Sequence, residues 1–87
     1  MHAVVVKVTI SEEEGAEEML RNDVVPRVSQ APGFVAGYWT RKGNSGLSIT
    51  VWESEDGANR ASEMIRSDPP QGVNVDDVEV REVVASA

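Results

Sequence analysis

An α+β sandwich, with one antiparallel four-stranded sheet and two helices on a single face, is the fold class this sequence predicts. Three observations predict it. Strand-like and helix-like segments alternate in the order βαββαβ. The chain has 87 residues, enough for one domain over residues 1–87 and no second. The hairpin between the two middle strands carries large apolar side chains on both of its faces.

The first strand is Ala3 to Ile10, AVVVKVTI, rich in β-branched residues and partly alternating at Lys7 and Thr9. Ser11 and Glu14 fit a capping box, and the Glu12–Glu14 cluster suits the positive end of a helix dipole. A helix from Glu12 to about Gln30 follows, with Ala16, Met19, Leu20, Val24 and Val28 as its apolar stripe. Pro26 has no N–H to donate to the carbonyl of Asn22, so a kink or break is expected at Asn22–Pro26. Pro32 and Gly33 end the helix. Phe34 to Arg41 is the second strand, Lys42–Ser45 a turn, and Leu47 to Glu53 the third strand. Ser54 caps a helix over Glu55–Ser67, with Ala58, Ala61 and Ile65 facing inward. Asp68 to Gly72 stops it, and Asp76 to Val84 forms the last strand.

A chain of this order closes as a ferredoxin-like sandwich. Right-handed crossovers put strand 1 beside strand 3 and strand 4 at the edge beside strand 1. With an odd pairing sum in the hairpin, Phe34, Ala36, Tyr38, Leu47, Ile49 and Val51 share one face. Val35, Gly37, Trp39, Ser48, Thr50 and Trp52 share the other. A bulge at Asn44–Gly46 would exchange these assignments. Both helices cover one face only, so the expectation is a homodimer joined face to face, with Phe34, Tyr38, Leu47, Ile49 and Val51 at the interface.

Composition excludes several classes of function. Fifteen acidic and 8 basic residues leave a net charge of −7, against nucleic-acid binding. There is no cysteine, hence no thiol nucleophile, iron–sulfur cluster or zinc finger. His2 is the only histidine and sits at the chain start, expected to be a frayed or edge residue, so no Ser-His-Asp site forms. Glu12, Glu13, Glu14, Glu17 and Glu18 read as a solvated helix face rather than a cation site. No metal site is expected. Nor is there a membrane-length apolar run or a secretory leader, which makes a cytoplasmic protein the expectation.

Two segments carry a resemblance. They are Ala31-Pro32-Gly33-Phe34-Val35-Ala36-Gly37-Tyr38-Trp39 and Ile49-Thr50-Val51-Trp52-Glu53-Ser54-Glu55. In these, and in element order over nearly the whole chain, the sequence resembles the dimeric α/β-barrel superfamily, in particular antibiotic-biosynthesis-monooxygenase-like domains. The resemblance implies two sheets packed into a barrel with the helices outside, and a pocket in each subunit between sheet and helices. It also implies a choice of chemistry, since the superfamily holds cofactor-free quinone-forming monooxygenases and haem-degrading oxygenases. The haem degraders use a histidine on the second helix and an asparagine on the first strand. Here Glu55–Ser67 has no histidine and Ala3–Ile10 no asparagine, so no cofactor is expected.

Trp52 is the first candidate residue and in the resemblance faces the pocket. It could stack on a flat aromatic ligand or donate its N–H to an oxyanion; alternatively it fills core. Trp39 shares its face and forms the other wall, with Val35 and Thr50 beside them; the alternative for Trp39 and Tyr38 is packing or interface anchoring. Arg41 and Arg60 could hold a substrate anion and Asn59 could donate to it; otherwise all three are plain surface residues. Two functions compete. One is cofactor-free oxygenation of an aromatic or polyketide-like molecule. The other is a non-catalytic ligand-binding or protein-interaction module of the same fold.

Overall fold

The computed structural model describes residues 1–11, 18, 20–69 and 72–87, with the Leu20 side chain outside that set. The expectations placed on Glu12, Glu13, Glu14, Ala16, Glu17 and Met19, the Ser11–Glu14 capping pair among them, lie outside the described residues.

β1 spans His2–Ile10, β2 Phe34–Lys42, β3 Ser45–Trp52 and β4 Val73–Glu82. They form one antiparallel sheet in the order β2-β3-β1-β4. This is the ferredoxin-like order, with the β-branched β1 at the centre. The β2–β3 turn is two residues long. Gly43 has φ +62° while Asn44 keeps a negative φ, the glycine-first arrangement of a type II′ turn.

Pro26 acts as its chemistry requires. A π-helical turn, Leu20–Val24, runs directly into the short helix α1, Val25–Ser29. Proline removes one regular helical hydrogen bond, and the wider turn just before it accommodates the loss. Gly33, with φ +83°, then turns the chain into β2.

α2 spans Glu55–Ser67. Its first turn is closed by Gly57 N–H donating to Ser54 Oγ at 3.1 Å, with Glu55 and Asp56 at the positive end of the dipole. Ala58 is fully buried, and Ala61 and Ile65 pack on the same core.

That core is Val4, Val6, Trp52, Ala58 and Val78. Val28 from α1, Ala31 just after it and Ile65 from α2 pack against it, so both helical regions cover one face of the sheet. Each fully buried valine contributes on the order of 2 kcal/mol. On β4, Val75, Val78 and Val80 turn inward while Glu79 and Arg81 stay exposed. An extra residue, Asp76, interrupts the pairing with β1, and its carboxylate accepts a 2.7 Å hydrogen bond from Thr9.

One face assignment is corrected. Between Phe34 and Ala36 the register with β3 shifts: Phe34 opposes Trp52, Ala36 opposes Val51, and Val35 is the extra residue. A one-residue bulge reverses side-chain alternation beyond it. Phe34, expected at the dimer interface, is therefore on the helix side, edge-on to the Trp52 ring at 5.6 Å and 78°. His2 is likewise no frayed end: it lies within β1 opposite Trp52 and Glu82, with Nε2 3.2 Å from Glu55 Oε2.

Among the described residues no helix is long and apolar enough to cross a membrane.

Candidate functional site

The helices do not seal the face they cover. Between α1 and α2, above β1, β2 and β3, lies a cavity of about 580 Å³. This is within the ordinary range for small-molecule sites.

Its sheet side follows from strand alternation. Trp39 opposes Ser48, Gly37 opposes Thr50, and Thr50 opposes Val4. These positions all fall on the helix-facing side. Trp39, Thr50 and Trp52 line the cavity, with Val6 and Val8 of β1. Trp52 and Thr50 are almost wholly buried, at 3% and 5% exposure. The Trp52 indole N–H donates to Thr50 Oγ1 at 3.0 Å. That bond leaves the Thr50 hydroxyl proton as the group able to donate to a ligand.

The Trp39 ring reaches back along β2 over Gly37. A Cβ on Gly37 would stand 2.8 Å from Trp39 Cη2. Glycine in a strand interior is unfavourable by itself, and this close approach is the reason for it here.

The cavity is charged as well as apolar. Arg21, Arg27, Arg41 and Arg60 all line it. Arg27 is shared with Asp23 at 3.4 Å and Asp68 at 3.9 Å. Neither aspartate lines the cavity.

Of the pocket residues expected from sequence, Trp39, Trp52, Thr50, Arg41 and Arg60 line this one cavity. Val35 and Asn59 do not. Val35 is the bulge residue and 46% exposed, and Asn59 is exposed on α2. Leu47, Ile49, Val51 and Tyr38 fall by register on the face away from the helices, and Tyr38 is 65% exposed. Leu47 also borders the cavity, from near the hairpin end.

Sequence reasoning missed Arg21 and Arg27. Positions six apart on a regular helix are separated by ~120° around the axis, so periodicity does not group them. The π-helical turn Leu20–Val24 alters that phase. Counting where the few basic residues fall relative to the helix-facing surface was the only available signal.

No known family profile matches the chain, and no curated protein does. Solved structures do. SnoaB, a cofactor-independent oxygenase from Streptomyces nogalater in a mutant form, superposes with TM-score 0.72 at 18% identity, over 98% of this chain and 94% of that one. A dimeric ferredoxin-like protein from an uncultured marine organism gives 0.62 at 13%, over 100% and 98%. The heme-degrader MhuD from Mycobacterium tuberculosis, with two hemes bound, gives 0.53 at 23%, over 97% and 98%. The chain thus has the fold of the ferredoxin-like, antibiotic-biosynthesis-monooxygenase-like proteins that its Ala31–Trp39 and Ile49–Glu55 segments resemble.

Proposed function

We propose that this protein is a homodimer whose subunits each bind a planar, hydroxylated aromatic or polyketide-like molecule and oxygenate it without metal or flavin. The observation that carries this reading is the 580 Å³ cavity, walled by Trp39 and Trp52 and bordered by arginines. The indole faces suit stacking on a flat ring, and nearby guanidinium groups lower the pKa of a phenol by favouring its anion. An electron-rich phenolate reacts with O2 at a ring carbon to give a hydroperoxide, which loses water to leave a quinone. One oxygen atom enters the product, the other leaves as water, and the substrate supplies all the electrons.

The uncovered sheet face supports the dimer. Tyr38, Ile49, Val51 and Leu47 lie there with Ala36 and Val5, and among the described residues no helical region packs on it. A patch of that kind is closed most simply by its own copy. The likeness to a dimeric ferredoxin-like protein adds to this.

One observation favours a second reading, binding without turnover. Among the described residues, no carboxylate, imidazole or lysine lines the cavity, so no protein base is at hand. An oxygen electrode separates the two. With 1-naphthol the oxygenase reading expects O2 uptake matched one to one by naphthoquinone. A thermal shift without O2 uptake, across a panel of hydroxylated naphthalenes and anthracenes, would establish binding alone. Absence of any shift across the panel would refute both.

A further inference from the structure

The distribution of charge carries an inference about what the ligand bears besides its ring. The protein is acidic, with 15 acidic and 8 basic residues. Four of those 8 basic side chains, Arg21, Arg27, Arg41 and Arg60, line the one cavity. None of the 15 acidic side chains is among its described lining residues. The arginines come from separate segments: the π-helical turn, α1, the end of β2, and α2. A net negative protein repels anions at long range. Half of its basic side chains nevertheless border one cavity.

The arginines are not occupied alike. Arg27 is shared with Asp23 and Asp68. Arg21 and Arg60 have no ion-pair or hydrogen-bond partner among the described residues, and both are exposed. Guanidinium groups bind a carboxylate through two parallel, charge-assisted hydrogen bonds.

We propose that the ligand is a hydroxylated aromatic carboxylate, its ring against Trp39 and Trp52 and its carboxylate held by Arg21 and Arg60 at the cavity mouth. This rests on the aromatic-binding reading above and narrows it to organic acids.

The test compares 6-hydroxy-2-naphthoate, its methyl ester and 2-naphthol by calorimetric titration of the intact protein. The acid is expected to bind at least tenfold tighter than the ester, with the advantage shrinking as salt rises from 50 to 500 mM. Arg21→Gln and Arg60→Gln should each weaken the acid about tenfold and leave the ester within about twofold. Lys42→Gln, at the hairpin and outside the cavity lining, should change neither. If the ester binds as well as the acid, the carboxylate proposal fails while the aromatic pocket stands. If the acid's advantage survives in both arginine variants, the assignment to Arg21 and Arg60 fails. If none of the three probes binds, the pocket reading fails and takes this proposal with it. The acid-versus-ester comparison uses the unsubstituted protein, so its outcome does not depend on a variant folding.

Discussion

The indole nitrogen of Trp52 donates to the hydroxyl oxygen of Thr50 at 3.0 Å, and both side chains are buried. The pair couples fold to site. Trp52 is a core residue, edge-on to Phe34 and packed with Ala58, and its N–H is already used. Its side chain also lines the cavity. The Thr50 hydroxyl proton has no acceptor among the described residues. Of the roles open to Trp52 in sequence, core filling is met, and its N–H is spent on Thr50, two residues back along β3.

Thr50→Val keeps the shape and leaves the Trp52 N–H buried without a partner. We expect a loss of about 1–3 kcal/mol, read as a fall in melting temperature of roughly 5–20 °C. Thr50→Ser should restore most of it. An unchanged melting temperature in Thr50→Val would show that the bond contributes nothing to stability.

Gly37→Ala puts a methyl group 2.8 Å from Trp39 Cη2 and 2.9 Å from Cζ3. The contact is with the far end of a side chain, so the ring should swing rather than the strand break. Tryptophan fluorescence should change and 2-naphthol binding weaken severalfold, with a stability change within about 1 kcal/mol. Unchanged fluorescence and affinity would mean that Trp39 does not rest over Gly37 in solution.

Ile49 opposes Tyr38 on the uncovered face. Ile49→Asp should convert the dimer to monomer or unfolded chain in sedimentation velocity at micromolar concentration. A monomeric parent protein, or a variant that remains a stable dimer, would count against this face as the interface.

Ser54 accepts from Gly57 N–H at 3.1 Å and starts α2. Ser54→Ala should cost about 1 kcal/mol, and Ser54→Asp should retain most of the stability because a carboxylate also caps and suits the dipole. Thermal melts of the two variants side by side test this, and equal melting temperatures would argue against a capping role.

The sequence alone was enough for element order, strand order and much of the hairpin's two-sidedness, because these follow from local signals. Valine alternation marks β1 and β4, the serine before Glu55 marks the start of α2, and Gly43-Asn44 marks the turn. Odd pairing then puts Trp39 on the face of Thr50, opposite Ser48, and Tyr38 opposite Ile49, as the register has them. Phe34 was not legible, since a bulge at Val35 leaves no composition cue and turns one aromatic residue from the outer face into the core.

Charge behaved in the same way. Net charge and the scarcity of basic residues can be counted from the chain, and they argue only against nucleic acid. That Arg21 and Arg27 join Arg41 and Arg60 around one cavity depends on the phase of a π-helical turn and on the packing of two helices over the sheet. Local pattern determines which elements form and which way a regular strand faces. Irregularities of a single residue, and the meeting of groups far apart in the chain, are decided only when long-range packing selects them.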